Sequence, residues 1–311
     1  MKILCTFSRL DEQAKQRLSE LCPDIEYNDY EHLSDQQLSQ YEVIIGNPPV
    51  NRLGACKSLK WLQLQSAGAN QYTCLPEDVI LTNASGAFGS AISEYMVGCV
   101  LLAQRNFAEY YLNKQEKKWQ HLTHTKTIEG STVVSVGMGD IGTDFAYKVH
   151  QFGATVYGVR RSVHDKPDFV KELYSFKDID KILPECDIVA LSLPETEETI
   201  HMFDKKRLLS LKKDAILINV GRGSAIVSED LAEVMKEGPL MAACLDVFEK
   251  EPLPKDSPLW EIPNIYMTPH VSGQNASSLT NEKRFKIAYD NLKNYLANKP
   301  LDNIVNKKIG Y

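Results

Sequence analysis

Residues 132–162 read TVVSVGMGDIGTDFAYKVHQFGATVYGVRRS, and the order of residue types in that stretch decides the fold. Thr132–Val136 is a short apolar, β-branched run, the composition of a strand buried on both faces. A G-x-G-x-x-G follows at once: Gly137, Met138, Gly139, Asp140, Ile141, Gly142. Beyond it Ile141, Phe145, Val149 and Phe152 recur at helical spacing, and Gly153 stands where such a helix would be capped. Ala154–Val159 is a second apolar run. A glycine pattern this short occurs by chance, but between two strands and at the head of a helix it reads as a dinucleotide-binding βαβ unit. The glycines permit a tight turn and a close approach of backbone to pyrophosphate. The helix N-terminus, with unpaired N–H groups and the positive end of its dipole, attracts that anion. Residues 137–142 are the expected cofactor contacts.

The end of the second strand sets the choice of nucleotide. A carboxylate there would accept hydrogen bonds from a ribose 2′-hydroxyl and repel a 2′-phosphate. The chain has Arg160, Arg161 and Ser162 instead, two guanidiniums and a hydroxyl suited to a phosphate. NADPH is therefore the expected cofactor, with NAD as the weaker possibility.

Outward from this unit the same alternation continues. Asp187–Leu193, Ala215–Val220, Leu240–Val247 and Asn264–Thr268 complete an inventory of six strands, enough for a full dinucleotide-binding domain. Upstream, Lys2–Phe7, Glu42–Ile45, Trp61–Gln65 and Val79–Thr82 read as strands of another parallel sheet, with Leu10, Ala14, Leu18 and Leu21 on the helix after the first. A helical pattern from Ser90 to about Trp119 is long enough to link two domains, to pack on another subunit or to lie in a core. Asn281–Leu296 is amphipathic again. The 311 residues, 43% of them hydrophobic and 24% charged, exclude disorder and small disulfide scaffolds, and a net charge of −6 gives no reason to expect nucleic acid or an anionic membrane as partner. The start is too short an apolar run for a signal peptide, no stretch suits a membrane span, and seven scattered cysteines suit a reducing compartment, so a cytoplasmic protein is expected. His121 and His124 lack partners at metal spacing and read as solvated, and no metal is expected.

Three polar residues sit just past strands of the second series: Arg222 after Ala215–Val220, Glu251 after Leu240–Val247, and His270 after Asn264–Thr268. All three fall on the cofactor edge of the sheet. A cation can hold the carboxylate of a 2-keto acid, an imidazolium can deliver a proton to the oxygen as it becomes an alkoxide, and a carboxylate can orient that imidazole.

With these segments in hand, the chain resembles the D-isomer-specific 2-hydroxyacid dehydrogenases. The likeness is carried by Gly137–Gly142, Ala215–Gly223 (AILINVGRG), Leu245–Pro252 (LDVFEKEP), Ser257–Trp260 (SPLW) and Thr268–Gly273 (TPHVSG), with Ser66–Ala69 extending it toward the N-terminus. The resemblance implies that Arg222 binds the keto-acid carboxylate and carbonyl, Glu251 pairs with the histidine, and His270 is the general acid/base. It further implies that the backbone N–H groups of Ala67 and Gly68 bind the substrate carboxylate. Leu193, Pro194 and Thr199, with Val220, Gly221, Asp246, Ser272 and Gly273, are implied to line the nucleotide. The chain departs from the pattern at Ser192 and Tyr95, where histidine is frequent, and at Asn70, where aspartate is frequent.

The expected architecture is two doubly wound α/β domains with the active cleft between them: a flavodoxin-like substrate domain of 1–99 and 282–311, and a Rossmann cofactor domain of 100–281. The arginine pair is typical of the family's NADPH-using glyoxylate and hydroxypyruvate reductases, so reduction of a small 2-keto acid is the expected reaction, and a homodimer the expected assembly. The rival readings are an NAD-linked D-lactate or phosphoglycerate dehydrogenase and a nucleotide-sensing protein of the corepressor kind.

Overall fold

The computed structural model describes residues 1–273 and 278–310. The chain divides into two compact units, residues 1–88 with 276–311 and residues 89–275. In the first unit lie β1 (Ile3–Cys5), α1 (Glu12–Leu21), β2 (Ile25–Tyr27), α2 (Asp35–Leu38), β3 (Val43–Ile45), β4 (Trp61–Gln63) and β5 (Ile80–Thr82). Its five strands are parallel in the order β2-β1-β3-β4-β5.

Alternation along the strands builds two cores. Ile3, Cys5, Val43, Ile45 and Trp61 point to one face, and Leu4, Ile44, Leu62 and Leu81 to the other. Leu18 of α1 covers the first face and Leu38 of α2 the second. Asp11 starts α1 by accepting a hydrogen bond from the Ala14 N–H at 2.7 Å.

The second unit contains α3 (Gly89–Gln104), α4 (Phe107–Gln115), β6 (Thr132–Val136), α5 (Asp140–Gln151), β7 (Thr155–Val159), β8 (Val170–Tyr174), β9 (Ile188–Leu191), α6 (Lys205–Leu209), β10 (Ala215–Asn219), α7 (Ser228–Glu237), β11 (Leu240–Leu245) and β12 (Ile265–Met267). Its seven parallel strands run β12-β11-β10-β9-β6-β7-β8. The order reverses between β6 and β9, where open α/β sheets bind their ligands. The last helix, α8 (Ser278–Leu296), returns to the first unit. Phe285, Ala288 and Leu292 enter the core beside Ile3 and Trp61, and Tyr295 stacks on Trp61 at 4.9 Å.

The sequence reading is corrected in four places. The single long helix is two, α3 and α4, because Asn106 turns into the left-handed region at φ 53°. Asparagine tolerates that conformation better than most residues. Two strands, β2 and β8, were not expected; both are sheet edges, and exposed Lys171 and Glu172 hide β8 from an apolar scan. Phe152 lies beyond the end of α5 and is 53% exposed, so the buried face of that helix is Gly142, Phe145, Ala146 and Val149. The units divide at 88/89 and 275/276, whereas the expected boundaries at 99/100 and 281/282 cut through α3 and α8. Helix α3 goes whole with the second unit because it is tied to α5: the Ser93 hydroxyl and the Lys148 ammonium both donate to Asp144, at 2.8 and 2.5 Å.

Candidate active site

The glycine turn fills the switch point between β6 and β9. Gly137 has φ +99°, and a Cβ on it would lie 2.7 Å from the Ser192 carbonyl oxygen. The Ser192 hydroxyl donates to the Gly137 carbonyl at 2.8 Å, so the two loops are stitched together. A Cβ on Gly142 would come within 1.9 Å of the Gly137 oxygen, which leaves no room for a larger residue in the first turn of α5. Gly139 differs: it begins α5 without a capping side chain, and a Cβ there would meet no atom within 4 Å. A helix N-terminus uncapped by a side chain, with open space in front of its second glycine, fits a pyrophosphate.

The other residues of the turn contribute backbone. The Met138 side chain is buried against Gly158, where a Cβ would reach its Cγ at 2.9 Å. The Asp140 carboxylate accepts from the Gly89 N–H at 2.8 Å and so caps α3. Arg160, Arg161 and Ser162 follow β7 directly. The Arg160 N–H donates to the Tyr174 carbonyl at 3.0 Å, which anchors the turn to β8, and its guanidinium donates to the His164 carbonyl at 3.3 Å.

Arg222, Glu251 and His270 end three adjacent strands, β10, β11 and β12. Asn219, fully buried, builds the turn that presents the arginine: its side chain accepts from Gly221 N–H at 3.1 Å and donates to the Arg222 carbonyl at 2.9 Å. Gly221 and Gly223 are needed because loops cross here. A Cβ on Gly221 would lie 2.4 Å from the Leu193 nitrogen, and one on Gly223 would lie 1.8 Å from the Phe248 carbonyl carbon. Burial lowers the pKa of the Arg222 guanidinium, while the charges of Glu195 and Glu251 push it back up. Arginine stays a cation under such conditions.

The His270 Nδ1 lies 2.7 Å from Glu251 Oε2, and the other carboxylate oxygen of Glu251 accepts from the Phe248 N–H at 3.0 Å. An ionised carboxylate only accepts, so Nδ1 carries the proton and Nε2 is left open for other partners. Both side chains are partly open to solvent, 46% for His270 and 35% for Glu251.

Asp246 has a role that the sequence did not reveal. Its side chain is wholly buried and accepts from the Thr268 hydroxyl at 2.5 Å, the Val271 N–H at 2.8 Å and the Ser272 N–H at 2.9 Å. The His270 N–H donates to the Asp246 carbonyl at 2.8 Å. Asp246 thus shapes the turn that holds His270, and its carboxylate is engaged inside the protein. Ser272 and Gly273 complete that turn. Thr199 is likewise turned inward, donating to the Pro194 carbonyl at 2.7 Å and accepting from the Thr196 N–H at 2.9 Å. Leu193 and Val220 are buried, and Pro194 is half-buried.

In the first unit, Gln65–Gly68 leaves the carboxyl end of β4 with every carbonyl engaged. The Gln65 carbonyl accepts from Arg284 at 2.8 Å, that of Ser66 from the Ala84 N–H at 2.9 Å, that of Ala67 from Asn83 at 2.7 Å, and that of Gly68 from the Ser66 hydroxyl at 2.9 Å. The N–H groups of Ala67 and Gly68 have no acceptor among the described residues. Carbonyls held back and adjacent N–H groups left over make a small anion receptor.

The comparisons with known proteins bear on this geometry. Residues 97–272 match the family described as D-isomer specific 2-hydroxyacid dehydrogenase, NAD binding domain. The chain belongs to this family. A glyoxylate reductase of Korarchaeum cryptofilum is 32% identical over 240 residues, covering 74% of this chain and 70% of the relative. A D-isomer specific 2-hydroxyacid dehydrogenase family protein from Aeromonas salmonicida superposes with a TM-score of 0.87 at 30% identity, over 98% of this chain and 99% of the other. An NADPH-dependent glyoxylate/hydroxypyruvate reductase from Sinorhizobium meliloti, solved with NADP and sulfate, superposes at 0.84 and 27% identity over 100% and 99% of the two chains. This D-2-hydroxyacid dehydrogenase is therefore an NAD(P)-linked oxidoreductase with a Rossmann domain.

Proposed function

We propose that the chain reduces a small 2-keto acid of the glyoxylate or hydroxypyruvate kind to the D-2-hydroxy acid, with NADPH as its preferred cofactor. The observation that carries this reading is the 2.7 Å contact between His270 Nδ1 and Glu251, on strand ends adjacent to the one that presents the half-buried Arg222. The arginine pair after β7, and the likeness to the Korarchaeum glyoxylate reductase and the Sinorhizobium NADPH-dependent glyoxylate/hydroxypyruvate reductase, support the choice of cofactor and substrate class.

The glycine turn would hold the pyrophosphate and Arg160, Arg161 and Ser162 the 2′-phosphate. NADPH, once bound, supplies the hydride for the carbonyl carbon. Arg222 binds the substrate carboxylate and polarises the carbonyl, with the Ala67 and Gly68 N–H groups receiving carboxylate oxygen. His270 gives the proton on Nε2 to the oxygen as negative charge develops there, and Glu251 holds the ring and balances its charge. Seven free cysteines, six of them buried, suit the reducing cytoplasm. We also read the assembly as a homodimer through α4, argued below.

The test is nicotinamide absorbance against time, with NADPH and NADH side by side over glyoxylate, hydroxypyruvate, pyruvate and longer 2-keto acids. Rapid oxidation of NADPH with one or two of the small acids is expected. Turnover with NADH alone on pyruvate would favour the lactate-type reading. Tight cofactor binding with no turnover on any acid would favour a sensor.

A further inference from the structure

We propose that Arg284 of α8 is a positioning residue for the substrate carboxylate, acting through the Gln65–Gly68 loop. The inference rests on the functional reading above, since it takes the N–H groups of Ala67 and Gly68 as the carboxylate receptor.

Arg284 reaches out of α8 with three of its N–H groups engaged. Nε donates to the Gln65 carbonyl at 2.8 Å, Nη2 to the Gln65 side-chain oxygen at 2.8 Å, and Nη1 to Asn281 at 2.9 Å. The guanidinium centre lies 5.0 Å from the Phe7 ring and 5.9 Å from the Phe88 ring. Burial, with the charge of Arg9 as a smaller cause, lowers its pKa. A cation is costly to desolvate and stays put only where fixed partners compensate. Here the partners are two oxygens of one residue, so the guanidinium grips Gln65 as a fork.

That grip sets the receptor's geometry. Gln65 Oε1 also accepts from the Ser8 N–H and hydroxyl, both at 2.9 Å, so Arg284 and the loop after β1 meet on one oxygen. The Gln65 N–H in turn donates to Asn47 at 2.9 Å, and Asn47 donates to the Ser66 hydroxyl at 2.9 Å. The bond to the Gln65 carbonyl orients the Gln65–Ser66 peptide at the entry to the loop, and the next two carbonyls are held by the Ala84 N–H and the Asn83 side chain. Arg284 brings a charged side chain to this network. Its charge, spread next to the receptor and poorly screened, also favours an anion there.

The experiment compares Arg284→Met, Arg284→Lys and, as a packing control, Arg17→Met. Arg17 lies over the Phe285 and Tyr289 rings at 5.0 and 4.7 Å, so its loss disturbs the α1–α8 contact without touching the loop. The Michaelis constant for the 2-keto acid and the inhibition constant of oxalate, an unreactive dicarboxylate, are measured for each. So are kcat and the NADPH dissociation constant. Arg284→Met is expected to raise both substrate-side constants about tenfold or more, as the loss of charge-assisted hydrogen bonds does. Its kcat should change little, and NADPH binding not at all. Arg284→Lys keeps the cation against the rings but not the fork, and a several-fold rise is expected from this fold-preserving variant even where the methionine variant is unstable. Arg17→Met should leave all four quantities near wild type. Unchanged substrate-side constants in Arg284→Lys and Arg284→Met would overturn the proposal, as would an equal rise in Arg17→Met or a parallel loss of NADPH affinity. A wild-type enzyme inactive on every 2-keto acid would instead overturn the functional reading, so the two failures are distinguishable.

Discussion

His270 sits in the left-handed region at φ 52°, a conformation that costs a β-carbon-bearing residue of order 1 kcal/mol and persists only where neighbours enforce it. Asp246 is the enforcer, through its bonds to Thr268, His270, Val271 and Ser272. The imidazole is therefore aimed by its backbone as well as by Glu251. Replacing His270 with Ala is expected to lower kcat by a factor of ~10² to 10⁴, the range for a lost general acid, with NADPH affinity retained. Glu251→Gln should leave the fold intact and reduce kcat less, because the ring keeps an oxygen acceptor but loses the charge that balances it. Stopped-flow reduction of the keto acid and fluorescence titration of NADPH check both. Full activity in His270→Ala would remove the residue from the chemistry. Sequence alone placed all three candidate side chains on one sheet edge, because each follows an apolar run that reads as a strand. It could not assign Asp246, since an aspartate after a strand reads equally well as a ligand contact or as a loop anchor until its hydrogen bonds are seen.

At the scale of elements, the proposed preference for NADPH rests on the end of the strand that follows the helix of the glycine turn. β7 ends in Val159, and Arg160 is fixed at its root by the bond from its N–H to Tyr174 of β8. Its backbone is thus held by a strand that the sequence reading missed. Arg160→Asp is expected to raise the Michaelis constant for NADPH roughly 10- to 100-fold, by loss of a phosphate contact and gain of a repelling charge, while NADH changes little or improves. Initial rates with each nucleotide decide it, and an unchanged NADPH constant would sink the 2′-phosphate assignment. Elements were legible where burial was two-sided: β1, β3, β9 and β11 are continuous apolar runs, and β6 and β10 are largely apolar. Edge strands were not, because β8 keeps its charged face in water. The break between α3 and α4 was hidden for a different reason. Nothing in the apolar spacing of Met96, Val100 and Phe107 marks the left-handed turn at Asn106, which a local backbone preference makes.

For the whole molecule, the exposed face of α4 is the feature that a solitary chain leaves unexplained. Phe107 is 56% exposed, Tyr111 60% and Leu112 61%, and Trp119 just beyond the helix is 96% exposed. Phe107 and Tyr111 are four apart and share one face of the helix. A groove of about 550 Å³ lined by Tyr110, Lys114, Trp119 and His121 adjoins them. Clustered exposed aromatic side chains of this kind mark an interaction site. A second copy of the chain is the occupant that our reading of the assembly requires, since a two-fold axis presents the same aromatic face to itself. Sedimentation equilibrium is expected to give twice the chain mass of 35.1 kDa. Tyr111→Glu, which places a charge in that face without touching the sheet, should shift the protein toward monomer and weaken self-association by about tenfold or more. NADPH binding should survive in the variant, because the glycine turn is built from β6, β9 and α5 alone. A wild-type chain that sediments as a monomer at micromolar concentration would remove the dimer, and the aromatic face would then need a different partner.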